Sequence, residues 1–241
     1  MPFLRPNSEF INPNRDKLNA KVEFILSRAL SLSLHSRRVV YFFSILGSFF
    51  EFVQIVQTQQ SKKIRMYTSR ERLYLAMMEK LKVGKAVCCE FGVAWGYTSA
   101  FWLLNLKKSN LKWIGLDRFE GLPRSWDKLP KGAFSTEGKT PPLVDTRVEW
   151  LKGDIEKTVD TDFLNQLQSF DQRLLFFDLD IFEPSEYAFD KLIHLLKSGD
   201  ILYFDEARII DERFLIANYV LPKLKCRVIG ITINALAIEV I

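Results

Sequence analysis

Cysteine and histidine are scarce, with 3 and 2 copies respectively in 241 residues. Cys88 and Cys89 are adjacent inside an apolar run and Cys226 lies far away, which excludes a disulfide framework and a CxxC metal spacing. The three read as small buried hydrophobes in a reducing, cytoplasmic compartment. His35 and His194 are uncommitted; His194 falls within the helix after the fourth strand, where a surface or core role is expected. Long Lys/Arg runs and basic-aromatic motifs are missing. Arg37-Arg38, Lys62-Lys63 and Lys107-Lys108 are short pairs of the kind solvated helix faces carry, so no nucleic-acid partner is expected. The net charge of +5 is uneven, with 13 Lys+Arg against 6 Asp+Glu in residues 1–80 and 21 against 23 in the remainder. No uninterrupted apolar run spans a bilayer. Residues 39–56, VVYFFSILGSFFEFVQIV, are broken by Glu51 and Gln54 before the roughly 20 residues a spanning helix needs. That segment reads as a buried helix or helix pair packing on the main domain or on a second subunit, as in a homodimer; membrane-surface attachment helped by Arg37 and Arg38 is the alternative. The GxGxxG fingerprint is also absent, which argues against an NAD- or FAD-dependent oxidoreductase.

The chain has ample material for a core, with 48% hydrophobic and 13% aromatic residues. Its length fits one α/β domain with an appendage: a helical N-terminal extension over 1–80, acting as lid or oligomer contact, and a main domain over 81–241. From Lys85 onward, short β-branched or aromatic runs alternate with amphipathic segments, the signature of a parallel sheet covered by helices. Strands are expected at 86–92, 112–117, 147–154, 173–180 and 200–207. Helices are expected from Tyr97 to about Lys107, through Phe163 and Leu167, from about Pro184 to Lys197 and around 209–221. Two closing strands at 225–231 and 233–241 are separated too briefly for a crossover helix and are expected to be antiparallel. The fold class is therefore α/β, a Rossmann-like seven-stranded, mostly parallel sheet with an antiparallel last strand. Residues 121–145, rich in Pro, Gly, Lys and Ser, read as a lid loop over a site.

The chemistry gathers at the expected strand ends. After the first strand comes EFGVAWGYTS (90–99), in which Gly92 and Gly96 let the backbone turn sharply near a ligand and the following helix N-terminus offers amides to an anion. Asp117, about 25 residues after this turn, is placed to accept hydrogen bonds from ribose hydroxyls, although an Asp that caps a turn would look the same. Asp154 and Ile155 follow the third strand, suited to hydrogen-bonding and packing against a purine. The fourth and fifth strands finish with Asp178, Asp180, Asp205 and Glu206. Crowded carboxylates either share a hard divalent cation or take up protons. An oxygen-only set favours magnesium, with calcium or manganese as alternatives.

Taken together, these residues resemble the class I S-adenosylmethionine-dependent methyltransferases, and more narrowly the macrocin O-methyltransferase family. The narrower match rests on EFGVAWGYTS (90–99), GLDRFEGLPRSW (115–126), KGAFS (131–135), LKGDIEKT (151–158), FFDLDIFEPS (176–185) and GDILYFDEA (199–207), nearly continuous from about Lys85 to Ala207. The resemblance implies S-adenosylmethionine as cofactor, with Glu90, Gly92, Gly96 and Thr98 beside its methionine part, Asp117 at its ribose, and Asp154 and Ile155 at its adenine. It implies magnesium on Asp178, Asp205 and Glu206, with Asp180 as general base, and a small hydroxylated molecule, a sugar or natural product, as acceptor. Phe119, Trp126 and Phe134 would be apolar walls of the acceptor site. Two positions depart from the family pattern: Glu206, where Asp is common, and Arg118, where Ser is frequent. A metal-independent methyltransferase and a non-catalytic, membrane-associated binding protein of the same fold are the alternatives.

Overall fold

The computed structural model describes residues 21–22, 24–26, 28, 36–58, 63–106, 110–126 and 128–241. Residues 1–20 of the expected extension, His35, Lys62 and the Lys107-Lys108 pair lie outside the described residues. The chain forms two compact units, residues 1–48 and 49–241. Residues 49–80, read from sequence as part of the extension, belong to the same unit as the sheet.

Helix α1 (Arg37–Gln57) starts in the first unit and ends in the second. Among the described residues it is the one helix long and apolar enough to cross a membrane, by length and composition. The expected buried helix holds only for its last turns, where Phe52 and Val56 are enclosed; Val40, Tyr41, Phe42, Phe43 and Phe50 are exposed. Apolar residues run all round this helix, so a single packed stripe covers few of them.

In the second unit, α2 (Arg70–Met78) precedes β1 (Ala86–Phe91), α3 (Tyr97–Asn105), β2 (Leu111–Asp117) and β3 (Val148–Lys152). Next come α4 (Ile155–Thr158), α5 (Thr161–Gln168), β4 (Gln172–Phe177), α6 (Phe182–Leu192), β5 (Ile201–Phe204) and α7 (Ile210–Leu215). A π-turn (Ile216–Val220) and the single turn α8 (Leu221–Lys223) lead to β6 (Cys226–Ile231) and β7 (Leu236–Val240). The seven strands among the described residues form one sheet in the order β3-β2-β1-β4-β5-β7-β6. β1 to β5 are parallel; β7 runs antiparallel to both β5 and β6.

β1 and β4 are buried along their whole length, as strands covered on both faces must be. One face carries Phe91, Ile114, Phe163, Phe177 and Phe189, with Phe52 and Val56 of α1. The other is an aromatic layer of Tyr74, Trp102, Trp113, Phe176 and Tyr203. Because β2 lies on one side of β1 and β4 on the other, the strand order reverses at the β1/β4 seam. This is where open α/β sheets leave a crevice beyond the strand ends.

Candidate active site at the carboxyl ends of the strands

A cavity of about 560 Å³ opens at that seam, lined by the turn after β1 and the segments that follow β2, β3, β4 and β5. Of the expected cofactor, metal and catalytic residues, Gly96 alone is not in its wall. Gly96 is instead the N-cap of α3 at φ 75°, and a Cβ there would press on the Pro141 ring. Its need for glycine comes from the helix start and from packing of the 121–145 segment. Gly92 does face the cavity. At φ 88°, a Cβ would collide with the Asp178 backbone carbonyl, so glycine is what lets the β1 turn close against the end of β4.

Asp117 does two things. Oδ2 accepts from the amides of Val93 (2.7 Å) and Ala94 (2.8 Å), and Oδ1 accepts from Phe119 N (2.6 Å). The carboxylate thus ties the glycine turn to the end of β2 while lining the cavity. Asp154 stands before α4 without capping it through its side chain. Its oxygens pair with Arg118 Nε (3.0 Å) and Lys157 Nζ (2.8 Å), and the Lys157 ammonium, aided by Arg118, holds its carboxyl below the usual range. Ile155 lies beside it, 5% exposed.

Glu90 is 2% exposed at the end of β1 and accepts from the Ser99 hydroxyl and from Trp113 Nε1 (3.0 Å). Burial pushes its carboxyl up to about 8, against the pull of those two donors. Thr98 shares a hydrogen bond with the Tyr74 hydroxyl at 3.2 Å.

β4 stops at Phe177, short of the expected strand end at 180, so Asp178 and Asp180 lie beyond the strand. They meet at the cavity by another route: the chain turns sharply, with Asp180 at φ 61°, and Ile181 N bonds back to Leu179 O at 2.6 Å. A positive φ at a non-glycine residue is a strained position of the kind found at functional sites. Burial, and then the Asp205 charge, raise Asp180 to about 7; burial, Asp205 and Asp180 raise Glu206 to about 7. Asp178 is pushed well above its ordinary value, mainly by burial. Beneath them Glu212, 2% exposed, accepts from Glu206 N at 2.9 Å.

Sequence reasoning missed Arg70, which lines the cavity from α2 and pairs with Asp205 Oδ2 at 3.3 Å. Asp205 Oδ1 accepts from the Tyr203 hydroxyl at 2.5 Å. Burial opposes the Arg70 charge, but Asp205 and its acidic surroundings outweigh it and hold the guanidinium firmly protonated. The expected magnesium residues, Asp178, Asp205 and Glu206, all line the cavity but are not arranged as a ready ligand set. Among the described residues no three His, Cys, Asp or Glu side chains converge as a metal-holding group, and Asp205 is turned toward Arg70 and Tyr203.

Of the expected apolar walls, Phe134 lines the cavity, edge-on to Trp95 at 6.2 Å. Phe119 is fully enclosed against Trp150 of β3, and Trp126 donates to Asp211 Oδ2 of α7 at 2.8 Å; held by these neighbours, neither reaches the cavity. His194, in a 3₁₀ turn after α6, is not in the cavity wall.

No family model and no curated protein matches the chain. Its fold does match solved structures. A crystal structure of CalS11, a calicheamicin methyltransferase, is 19% identical with a TM-score of 0.57. The apo structure of CalS11, described as a TDP-rhamnose 3'-O-methyltransferase of calicheamicin biosynthesis, is 19% identical with a TM-score of 0.52. Each alignment covers 70% of this chain and 78% of the other. The likeness establishes a shared fold.

Proposed function

We propose that the chain is an S-adenosylmethionine-dependent O-methyltransferase acting on a hydroxyl of a small molecule, a sugar or another natural product. One observation carries the reading. A single cavity joins a glycine turn, Asp117 and the Asp154-Ile155 pair on one side to a strained, half-buried carboxylate, Asp180, on the other, in the fold shared with CalS11. The lining suits the nucleoside: Asp117 and Asp154 supply acceptors for hydroxyl and amino groups, and Ile155 an aliphatic face, beside the Gly92 turn. The volume suits a nucleoside with a small acceptor beside it.

Glu90, Gly92, Asp117, Asp154 and Ile155 would hold S-adenosylmethionine, which would supply an electrophilic methyl group and leave as the neutral thioether when its sulfur–methyl bond breaks. Asp180 accepts the proton from the acceptor hydroxyl as the new C–O bond forms, and a carboxyl raised to about 7 is matched to that task near neutral pH. Placement of the acceptor oxygen in line with the methyl carbon supplies most of the rate. The segment at 121–145, through Leu122 and Phe134, covers the acceptor side and limits water there. The test is to incubate the chain with methyl-labelled S-adenosylmethionine and a panel of hydroxylated sugars and phenols, and to look for a mass gain of one methyl. Label transfer that disappears in Asp180→Asn supports the reading; no transfer to any hydroxyl acceptor, or transfer only to nitrogen, counts against it.

A further inference from the structure

We infer that the Arg70 guanidinium is the resident cation of the acidic end of this cavity, occupying the place a divalent metal would take beside Asp205, and that the site binds no such metal while Arg70 is present. The position of Arg70 is built in. Tyr67 N and Ile231 N bond across to Ile231 O and Arg65 O at 2.7 and 2.9 Å, which fixes the chain just before α2 to the β6 edge. Ser69 caps the helix by accepting from Arg72 N. One turn on, Tyr74 is locked against Tyr203 and Phe176 at ring distances of 5.0 and 6.2 Å, so the face that carries Arg70 is turned toward the end of β5. The guanidinium lies over the Tyr97 ring at 5.0 Å, and the Tyr97 hydroxyl donates to Glu71 at 2.8 Å, joining the starts of α2 and α3 around it.

The result is a cation that reaches Asp205 by design of the fold. A metal on Asp178, Asp205 and Glu206 would have to share Asp205 with the Arg70 guanidinium at Oδ2, whose positive charge repels a second cation there, while the Tyr203 hydroxyl donates to Oδ1. The other cavity-lining arginines are engaged elsewhere: Arg118 with Asp154 and Arg124 with Glu183. An arginine stays charged at any working pH and has N–H groups left over after one carboxylate contact. It can therefore offset the crowded acids permanently and present donors to an acceptor oxygen. That second consequence, and chelator-resistant turnover with it, rests on the methyl-transfer reading; the metal-binding consequence does not.

The test uses Mn²⁺ as an electron-paramagnetic-resonance probe, titrated into the full chain as wild type, Arg70→Lys, Arg70→Gln and the double variant Arg70→Gln/Asp205→Asn, with near-ultraviolet circular dichroism to confirm folding. Wild type and Arg70→Lys are expected to leave Mn²⁺ free into the millimolar range. Arg70→Gln is expected to bind it at least tenfold more tightly, and the added Asp205→Asn to remove the gain. One tightly held Mn²⁺ per wild-type chain would overturn the inference, as would a folded Arg70→Gln with no gain. The wild-type titration decides even if a variant does not fold. Failure to bind S-adenosylmethionine would sink the methyl-transfer reading and leave the Mn²⁺ result standing.

Discussion

Asp180 and Glu90 are both carboxyls raised by burial, and their positions give them different tasks. Asp180 is strained and faces the cavity, so Asp180→Asn is expected to lower kcat by about 10² to 10⁴-fold with little change in cofactor affinity, read from initial rates and a binding titration. Glu90 is enclosed beneath the glycine turn and holds a proton up to about 8, whereas the unfolded chain gives it up near 4.5. A folded carboxyl raised in this way contributes its full stability below about 4.5, and that contribution is lost as pH rises through about 8, by several kcal/mol in total. Glu90→Gln keeps the acceptor for Ser99 and Trp113 but removes the titration. Melting curves from pH 5 to 9 are expected to show a shallower alkaline decline in the variant; an unchanged slope would assign the decline to other groups. Both acids stand at the ends of apolar runs in the sequence, but it is the family resemblance that implies their roles. Arg70 was not legible, because no pattern in the SRER stretch at 69–72 announces which strand end a helix start will meet.

Among the elements, the segment at 121–145 shows how a loop without strand or helix can still be ordered. Leu122 N and Gly132 N bond to Ala133 O and Leu122 O at 2.9 Å each, Phe119 O accepts from Thr136 N and Gly138 N, and Lys152 Nζ reaches Gly138 O at 2.9 Å. At its far end Arg147 grips Asp145 at 2.6 Å and donates to the Leu103 carbonyl at 2.9 Å and to that of Leu106, riveting the loop to the end of α3. Arg147→Ala is expected to raise KM for the acceptor and increase proteolytic nicking within 121–145, with the sheet's far-ultraviolet signal unchanged; a loss of cofactor binding alone would place Arg147 elsewhere in the account. β1, β4 and β5 were readable because buried strands are written as near-continuous apolar runs, whereas β3, VEWLK, is only half-buried. The strand ends were not readable: β4 and β5 stop at Phe177 and Phe204, and the acids beyond them sit on turns whose geometry depends on a neighbour's backbone, as at Gly92 against Asp178. Of the apolar stretch at 39–56, Phe52 and Val56 are enclosed in the sheet unit, and the sequence alone did not say which part of the helix that would be.

At the scale of the whole molecule, the two ends of the sheet have opposite duties. The amino end is closed by Asp200, fully buried, which accepts from Arg173 Nη1 at 3.0 Å, Arg173 N at 2.9 Å and Lys197 N at 2.9 Å. Asp200→Ala would leave Arg173, 3% exposed, without its carboxylate and is expected to cost roughly 3–5 kcal/mol in urea unfolding. The carboxyl end is instead left acidic, strained and open, as a site for ligands requires. The mostly parallel sheet with an antiparallel last strand followed from the alternation of runs and one short connection, but the order of strands within the sheet and the 48/49 division of the chain did not. Residues 49–80 form part of the sheet unit because Phe52, Val56, Leu73, Tyr74 and Met77 complete its two cores. The central claim is that the crevice at the β1/β4 seam holds a sulfonium nucleoside. Isothermal titration of S-adenosylmethionine into the wild-type chain and into folded Asp117→Asn is its most direct test: one site of micromolar affinity, at least tenfold weaker in the variant, is the expected result, and no binding heat with the wild type would contradict it.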